Sequence, residues 1–516
     1  MQQSQSKQQV GGILGFIERI GNKIPDITIL FISAFLLVCV VSAVLAQIHF
    51  NYVHPATGRP IEITNMLSGK ALVDLMSKMV TNYANFPPLS MVIVATLGIG
   101  IADGSGYINT GLKKILSITP KVLITPVVIL VGMLSHLGPD SGYVIIIPIA
   151  AYMFYAVGKH PLAGIAASFA GIAGAFAANY TPSAIDPVIQ GFTQSAAQII
   201  DPGYQVNVLC NYFYAFASTF IVIGACWWVT EKITNPWLWK ACPLDDDLDL
   251  GNENNSSITP SENRAFKIAT AVLLLMLTGL AAALYPADSI LRAPDGVVAS
   301  FKAPIMQSIV SLIFIFAALV GLVYGISCGK FKSPKDVTAA MEEITKTLVQ
   351  LIVFYFFAAQ FLYAFGASNM GALIAVSGAE FLKSLNLPPQ VTVFGIIVFV
   401  ALLNLIITSA SAKWAILAPI FVPMLMAVGI APELTQVAFR VSDSAVNVVT
   451  PMFAFYPLII LYCQKYVKNA GIGTLSSMML PYTIALLVSL TFMLYLFWWL
   501  DIPLGFQADY VYPRRF

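Results

Sequence analysis

Apolar runs of about twenty residues recur from Ile27 to Leu500, and they constrain this chain more than any other feature. A run of that length is sufficient for a helix to cross a hydrocarbon core of ~30 Å. Inside that core, backbone N–H and C=O groups must be satisfied by the protein itself. Composition agrees: 58% of the 516 residues are hydrophobic and 10% are charged, where soluble domains carry about 25% charged residues. The chain reads as an all-α integral membrane protein.

Complete crossings are expected at roughly 27–48, 88–109, 161–180, 207–229, 266–286, 304–327, 345–367, 433–457 and 477–500, which makes about nine transmembrane helices. The first run follows Lys7, Arg19 and Lys23 and is too long for a signal-peptide core, so it reads as a retained helix behind a cytoplasmic N-terminus, 1–26. Two further apolar stretches, 121–158 and 391–429, are interrupted midway by GPDSG (Gly138 to Gly142) and by TSASA (Thr408 to Ala412). By hydropathy each is either a pair of full helices or a re-entrant hairpin.

Lysine and arginine placement orients the chain, since cytoplasmic loops carry the excess. With the N-terminus inside and both interrupted stretches returning to their own side, 17 of the 27 basic residues fall inside and 8 outside. Lys413 and Arg440 remain at membrane depth. The run DDDLDLGNENN (Asp245 to Asn255) marks a mobile cytoplasmic linker, 231–265, between a first half, 27–230, and a second, 266–500, followed by a tail, 501–516. Trp227–Trp228 and Trp498–Trp499 read as interfacial anchors.

The two interrupted stretches are copies of one another. At an offset of 271, Tyr143 falls on Trp414, Pro148 on Pro419, Ala156-Val157-Gly158 on Ala427-Val428-Gly429, and Pro161 on Pro432. Thr181-Pro182 meets Thr450-Pro451 after a slip of two. Five expected crossings separate the copies, and an odd number inverts the second, giving an inverted-topology repeat. Broken segments entering from opposite sides and meeting near the midplane are a secondary-transporter signature. The TSASA interruption then reads as a hairpin tip whose amides and hydroxyls face a ligand.

Ionised groups at membrane depth cost about 2.5–3.5 kcal/mol on the mildest scale, so they point to function. Arg440, Asp443 and Asn447 fall at i, i+3 and i+7, on one helix face. Either Arg440 and Asp443 neutralise each other, or Asp443 holds a coupling cation while Arg440 meets a substrate carboxylate. Asn404 and Thr408 share a face ahead of the tip, as oxygen ligands for Na⁺ or as helix–helix hydrogen-bonding groups. Ser409 and Ser411 sit in the tip itself. Trp414 either stacks on an aromatic ligand or packs, and Lys413 is expected to snorkel to the outer surface. In the first half, Asn179 and Asp186 lie in ANYTPSAIDPVIQ, where Asp186 either takes part in transport or caps a helix starting at Pro187. Asp140 and Ser141 occupy the first tip.

Several functions lose support. No HExxH, GxxxxGK[ST] or GxSxG occurs, which argues against a zinc protease, an ATP-driven pump, a serine hydrolase and an enzyme generally. A net charge of +2 suggests no nucleic-acid partner, and the six cysteines are scattered without a CxxC pair. No cofactor is expected beyond a coupling ion, Na⁺ or H⁺.

FIERIGNKIPD, AVGKHPLAG, SAKWAILAPIFVPML, FRVSDS and GIGTLSSMMLPY together resemble the aminobenzoyl-glutamate transporter (AbgT) family, which includes sulfonamide exporters. The resemblance covers almost the whole chain, and SAxWAxxAPIFVPM is its most specific string. It implies a homodimer in a bacterial inner membrane, with nine helices and two re-entrant hairpins per subunit around an aqueous basin. It further implies a substrate site at Asp186, Trp414, Pro432, Arg440 and Asp443, and a sodium site at Asn404, Asp443 and the backbone near Thr408. A smaller residue than Thr408 is expected there. The activity so implied is cation-coupled uptake of p-aminobenzoyl-glutamate for folate salvage, with proton-driven export of sulfonamides as the alternative.

Overall fold

The computed structural model describes residues 26–53, 58–135, 141–245, 258–300 and 302–513, with the side chain of Ser141 excepted. Among these the architecture is helical, with two isolated β-bridges in place of any sheet. In chain order the helices of the first half are α1 Ile27–Leu45, α2 Gly69–Ala84, α3 Pro87–Ser105, α4 Tyr107–Ser117, α5 Ile124–Leu134, α6 Ser141–Ala156, α7 Pro161–Gly174, α8 Ile185–Ala197, α9 Tyr212–Val229 and α10 Asn235–Ala241. Those of the second are α11 Pro260–Leu284, α12 Pro304–Gln307, α13 Ile309–Ser327, α14 Pro334–Ala367, α15 Met370–Ser384, α16 Pro389–Asn404, α17 Ala410–Met426, α18 Pro432–Val446, α19 Tyr456–Gln464 and α20 Ile472–Trp499.

Among the described residues, seven spans are long and apolar enough to cross a bilayer, or eight if the bent pair α15–α16, angled at 117°, is one span. Their large apolar side chains point outward: Leu36, Leu37, Val40 and Val44 on α1, and Leu274 and Leu275 on α11, are more than half exposed. Contiguous apolar surface on that scale belongs against lipid. This is a multi-pass membrane protein. Small residues let the scaffold close up where lipid supplies no hydrophobic drive. The α3–α13 contact is so tight that a Cβ on Gly321 would lie 2.5 Å from the Ala102 backbone nitrogen.

Two expected crossings are corrected. The segment 161–180 is helical only to Gly174, and 433–457 only to Val446; after an irregular break each chain restarts as α8 or α19. Their breaks contain Thr181-Pro182 and Thr450-Pro451. A proline lacks a donor and pushes its predecessor out of the α region, which stops a helix. The sequence reading also passes over α2 and α15. The linker is shorter than expected: helix continues through a π turn, Thr230–Thr234, into α10, and α11 starts at Pro260 with a Thr259–Glu262 capping box. The acidic run beyond Asp245 lies outside the described residues.

The repeat is visible in the backbone itself. α7 begins at Pro161 and α18 at Pro432; α8 begins at Ile185 and α19 at Tyr456, all at the same offset. Both stretches end on a left-handed glycine, Gly158 at φ 79° and Gly429 at φ 87°. Around each, the same bonds form: Lys159 N to Phe154 O at 2.9 Å, and Ile430 N to Leu425 O at 2.9 Å. Each far end is then tied by the segment that closes its half. His160 bonds Asn235 and the Cys242 carbonyl, while Ala431 N donates to Tyr510 O and Tyr512 N to Gly429 O. The expected tail is thus partly a structural strap.

The helices flanking the interruptions, α5, α6, α16 and α17, have 11 to 17 residues. At 1.5 Å per residue these fall short of a ~30 Å core.

Candidate functional site

The two interruptions and the two helix breaks meet around one cavity of about 350 Å³. Gly142 comes from the first interruption with Ser135 and Tyr143 flanking it, and Thr408, Ser409, Ala410 and Ser411 come from the second. Ala184 and Ile185 enter from the first break, Phe453 and Phe455 from the second, and Asp443 and Asn447 from the end of α18. Thr96 of α3 and Leu348 of α14 close the scaffold side.

Three helices open their N-termini on this space: α6 near Gly142, α8 at Ala184–Ile185 and α17 at Ser409–Ser411. Helix N-termini carry partial positive charge and suit an anion. Ser409 caps α17, its hydroxyl accepting from Ala412 N at 3.4 Å. The wall is aromatic. Tyr143 stacks on Phe455 with centroids 4.5 Å apart, Phe453 packs against both, and Phe176 adds a further ring.

Beside the cavity lie two ion pairs, one fully buried and one partly so, and neither is the Arg440–Asp443 pair that the sequence offers. Lys413 Nζ meets Asp443 Oδ1 at 2.5 Å, both side chains being 1% exposed. Arg440 meets Asp186 Oδ1 at 2.8 Å, donates through Nε to Phe176 O at 2.8 Å, and lies over the Phe176 ring. The reason is rotational. On one face of α18, Arg440 points at the break of the first half, whereas Asp443, nearly a turn later, points at the second interruption. Lys413 therefore does not snorkel. Its ammonium also donates to Asn404 Oδ1 and to Ile407 O.

Asp186 does not cap a helix at Pro187. It lies in the first turn of α8, and Oδ2 reaches back to accept from Ser183 N at 2.7 Å and from Ser183 Oγ at 3.1 Å. Its other oxygen is left for Arg440. Asn179 turns the break locally, its Oδ1 accepting from Thr181 N. Asn404 donates to the Asp443 carbonyl at 3.0 Å, and Asn447 to Asp443 Oδ2 at 3.0 Å. The Thr408 hydroxyl turns away, to Met452 O at 3.5 Å.

Trp414 does not line the cavity. It is buried in face-to-face contact with Phe439, centroids 4.5 Å apart, and its Nε1 donates to Thr193 Oγ1 at 2.9 Å. From there a buried hydrogen-bond chain runs through Gln436 to Asn211, whose side chain reaches the Glu433 carbonyl. Pro432 opens α18, buried, at the far end of that helix from Asp443. Asp140 lies outside the described residues, and Ser141 marks the first residue of α6.

The sequence reading missed the aromatic wall of Tyr143, Phe176, Phe453 and Phe455. Phenylalanine is everywhere in a chain with 33 of them, so only proximity to a helix break could have singled these out.

Broken helices around a polar-tipped cavity, inside a shell of apolar spans, are the architecture of a membrane transporter. Comparison with known proteins says which kind. The AbgT putative transporter family model matches residues 12–512, and the chain belongs to that family. The p-aminobenzoyl-glutamate transport protein of Escherichia coli (strain K12) is 32% identical over 511 residues, 99% of this chain and 98% of that one. Two solved structures share the fold. The Alcanivorax borkumensis YdaH transporter matches with TM-score 0.87 and 37% identity, over 93% of this chain and 100% of its own. Neisseria gonorrhoeae MtrF, presented as illuminating a class of antimetabolite efflux pumps, matches with TM-score 0.90 and 39% identity, over 96% and 100%.

Proposed function

We propose that this protein is a cation-coupled secondary transporter of p-aminobenzoyl-glutamate, serving folate salvage, and that the 350 Å³ cavity is its substrate site. The observation that carries the reading is the pairing of an aromatic wall with three converging helix N-termini. The aminobenzoyl ring stacks among Tyr143, Phe453 and Phe455, and the glutamyl carboxylates face the amides at Ser409–Ser411, Gly142 and Ile185. A cavity of this size suits a small ligand of mixed character. The name of the E. coli relative gives the substrate class, and the identity over nearly the full chain makes the transfer reasonable.

In this reading the two interrupted stretches are re-entrant hairpins, the repeat is inverted in the membrane, and the N-terminus is cytoplasmic. The short arms and the 17-to-8 split of basic residues support that topology. Transport proceeds by moving the hairpin-bearing bundle, α5–α8 with α16–α19, against α3, α13 and α14. Arg440 and Asp186 hold the bundle's two halves together. The protein resides in a bacterial inner membrane as a homodimer, and α11, outward-facing over nearly its whole length, offers lipid or a second copy an apolar face.

The exporter reading rests on the MtrF likeness, since one site can serve either direction. Proteoliposomes decide between them. Labelled p-aminobenzoyl-glutamate is expected to accumulate under an imposed inward cation gradient, with sodium and proton gradients applied separately. No accumulation under either, with a sulfonamide moving outward against a proton gradient, would replace uptake by export.

A further inference from the structure

The family resemblance implies sodium at Asn404, Asp443 and the backbone near Thr408. The residues present do not leave room for it. Three oxygens converge at that point, Asn404 Oδ1, Ile407 O and Asp443 Oδ1, and the Lys413 ammonium already meets all three. The ammonium donates to Asn404 Oδ1 and Ile407 O and forms an ion pair with Asp443 Oδ1 at 2.5 Å, so one cation already faces all three oxygens. The charge also closes, one positive against one negative, with both side chains 1% exposed. A sodium ion added to this shell would leave a net positive charge buried without a partner, which is strongly unfavourable. The Thr408 hydroxyl, the extra ligand that the sequence offers, is turned toward Met452 O instead.

We propose that Lys413 is the resident cation of this shell: a tethered ammonium that takes the place of sodium, so that the intact chain binds no sodium at Asn404, Ile407 and Asp443. Lys413 is in this sense the residue that sets the ion selectivity of the site. It sits on α17 one residue before Trp414, so the pair fastens the second hairpin to α18 directly beside the cavity that Asp443 lines. The inference rests on the transporter reading only for its context, because the shell and its occupant are geometric facts independent of substrate.

The test is sodium binding to the purified full-length protein without substrate. Binding of ²²Na⁺ and the unfolding temperature are followed as sodium replaces N-methylglucamine at constant ionic strength. Wild type is expected to show neither saturable binding nor a sodium-specific shift. Lys413→Met leaves Asp443 and Asn404 facing an open shell and is expected to gain saturable sodium binding with a rising unfolding temperature. Asp443→Asn added to that background is expected to abolish both. Saturable sodium binding by wild type that Asp443→Asn removes would overturn the proposal, as would a folded Lys413→Met that gains no sodium response. If Lys413→Met does not fold, the wild-type measurement and Asp443→Asn alone still decide. A failed transport assay would leave these ion results standing, so the two readings fall separately.

Discussion

At the residue scale the decisive event is an exchange of partners. Arg440 and Asp443, three residues apart, look from the sequence like one ion pair, yet each finds its mate on a different element. Asp186 lies 254 positions before Arg440 in the chain, beyond the reach of any local pattern. What the sequence does carry is that such charges are costly at membrane depth and so demand partners. Breaking a fully buried pair by removing one partner costs roughly 3–5 kcal/mol, and the partly exposed Asp186 places this pair below that range. Asp186→Asn is therefore expected to lower the unfolding temperature in detergent substantially. The apolar double variant Asp186→Leu/Arg440→Met is expected to recover much of that loss, since matched apolar replacement of a buried pair is often neutral. An Asp186→Asn protein as stable as wild type would show that the pair holds nothing. The position of Trp414 makes a second prediction. Trp414→Phe keeps the contact with Phe439 but loses the bond to Thr193, about 1 kcal/mol, and should leave substrate affinity within a factor of about two. Phe453→Ala or Tyr143→Ala should weaken affinity severalfold or more, because base-like or aromatic stacking contributes about 0.5–1.5 kcal/mol per pair. Equilibrium binding of labelled p-aminobenzoyl-glutamate separates the two, and the opposite ranking would return the ring to Trp414.

At the scale of elements, the turn that ends each interrupted stretch is the repeat in miniature. Gly158 and Gly429 adopt left-handed backbone, where a Cβ costs roughly 1–2 kcal/mol. Gly158→Ala and Gly429→Ala are each expected to destabilise by about that amount, and by similar amounts, since both turns make the same bonds. Chemical unfolding of the two variants provides the comparison. A loss confined to one would mean that the turns, though alike in geometry, are not alike in load. These turns were legible because glycine and proline act locally. The helix breaks were legible only in part. Thr181-Pro182 and Thr450-Pro451 announce a stop, but hydropathy runs on through Phe453 and Phe455, so a broken helix and a whole crossing look the same by composition. The amphipathic α2 and the short α15 were missed for a related reason. Their apolar content is too low to register as a span, and packing fixes them as helix, α2 against α14 and α15 chiefly against α17.

At the scale of the whole molecule, the cavity exists because two copies of one motif face each other across it, each contributing a helix N-terminus beside its interruption and a break. If the bundle moves to carry substrate, accessibility of the tip must change with it. In a background with the six native cysteines replaced, Ser411→Cys is expected to react with a membrane-impermeant thiol reagent from one face of the bilayer. Saturating p-aminobenzoyl-glutamate should slow that reaction severalfold. Equal labelling from both faces, indifferent to substrate, would describe a channel instead. The sequence by itself determined that this chain lives in a membrane, that it is helical, where most spans run, and that one motif occurs twice. All of these follow from local rules: the length of apolar runs, the backbone's need for internal hydrogen bonds, and the habits of glycine and proline. Only the tertiary structure decided that Lys413 rather than a snorkelled surface position meets Asp443, that Arg440 joins the other half, and that four aromatic rings rather than Trp414 face the cavity. Those outcomes depend on how far each helix is rotated about its axis when the two halves close, and that rotation is set by packing summed over the whole bundle.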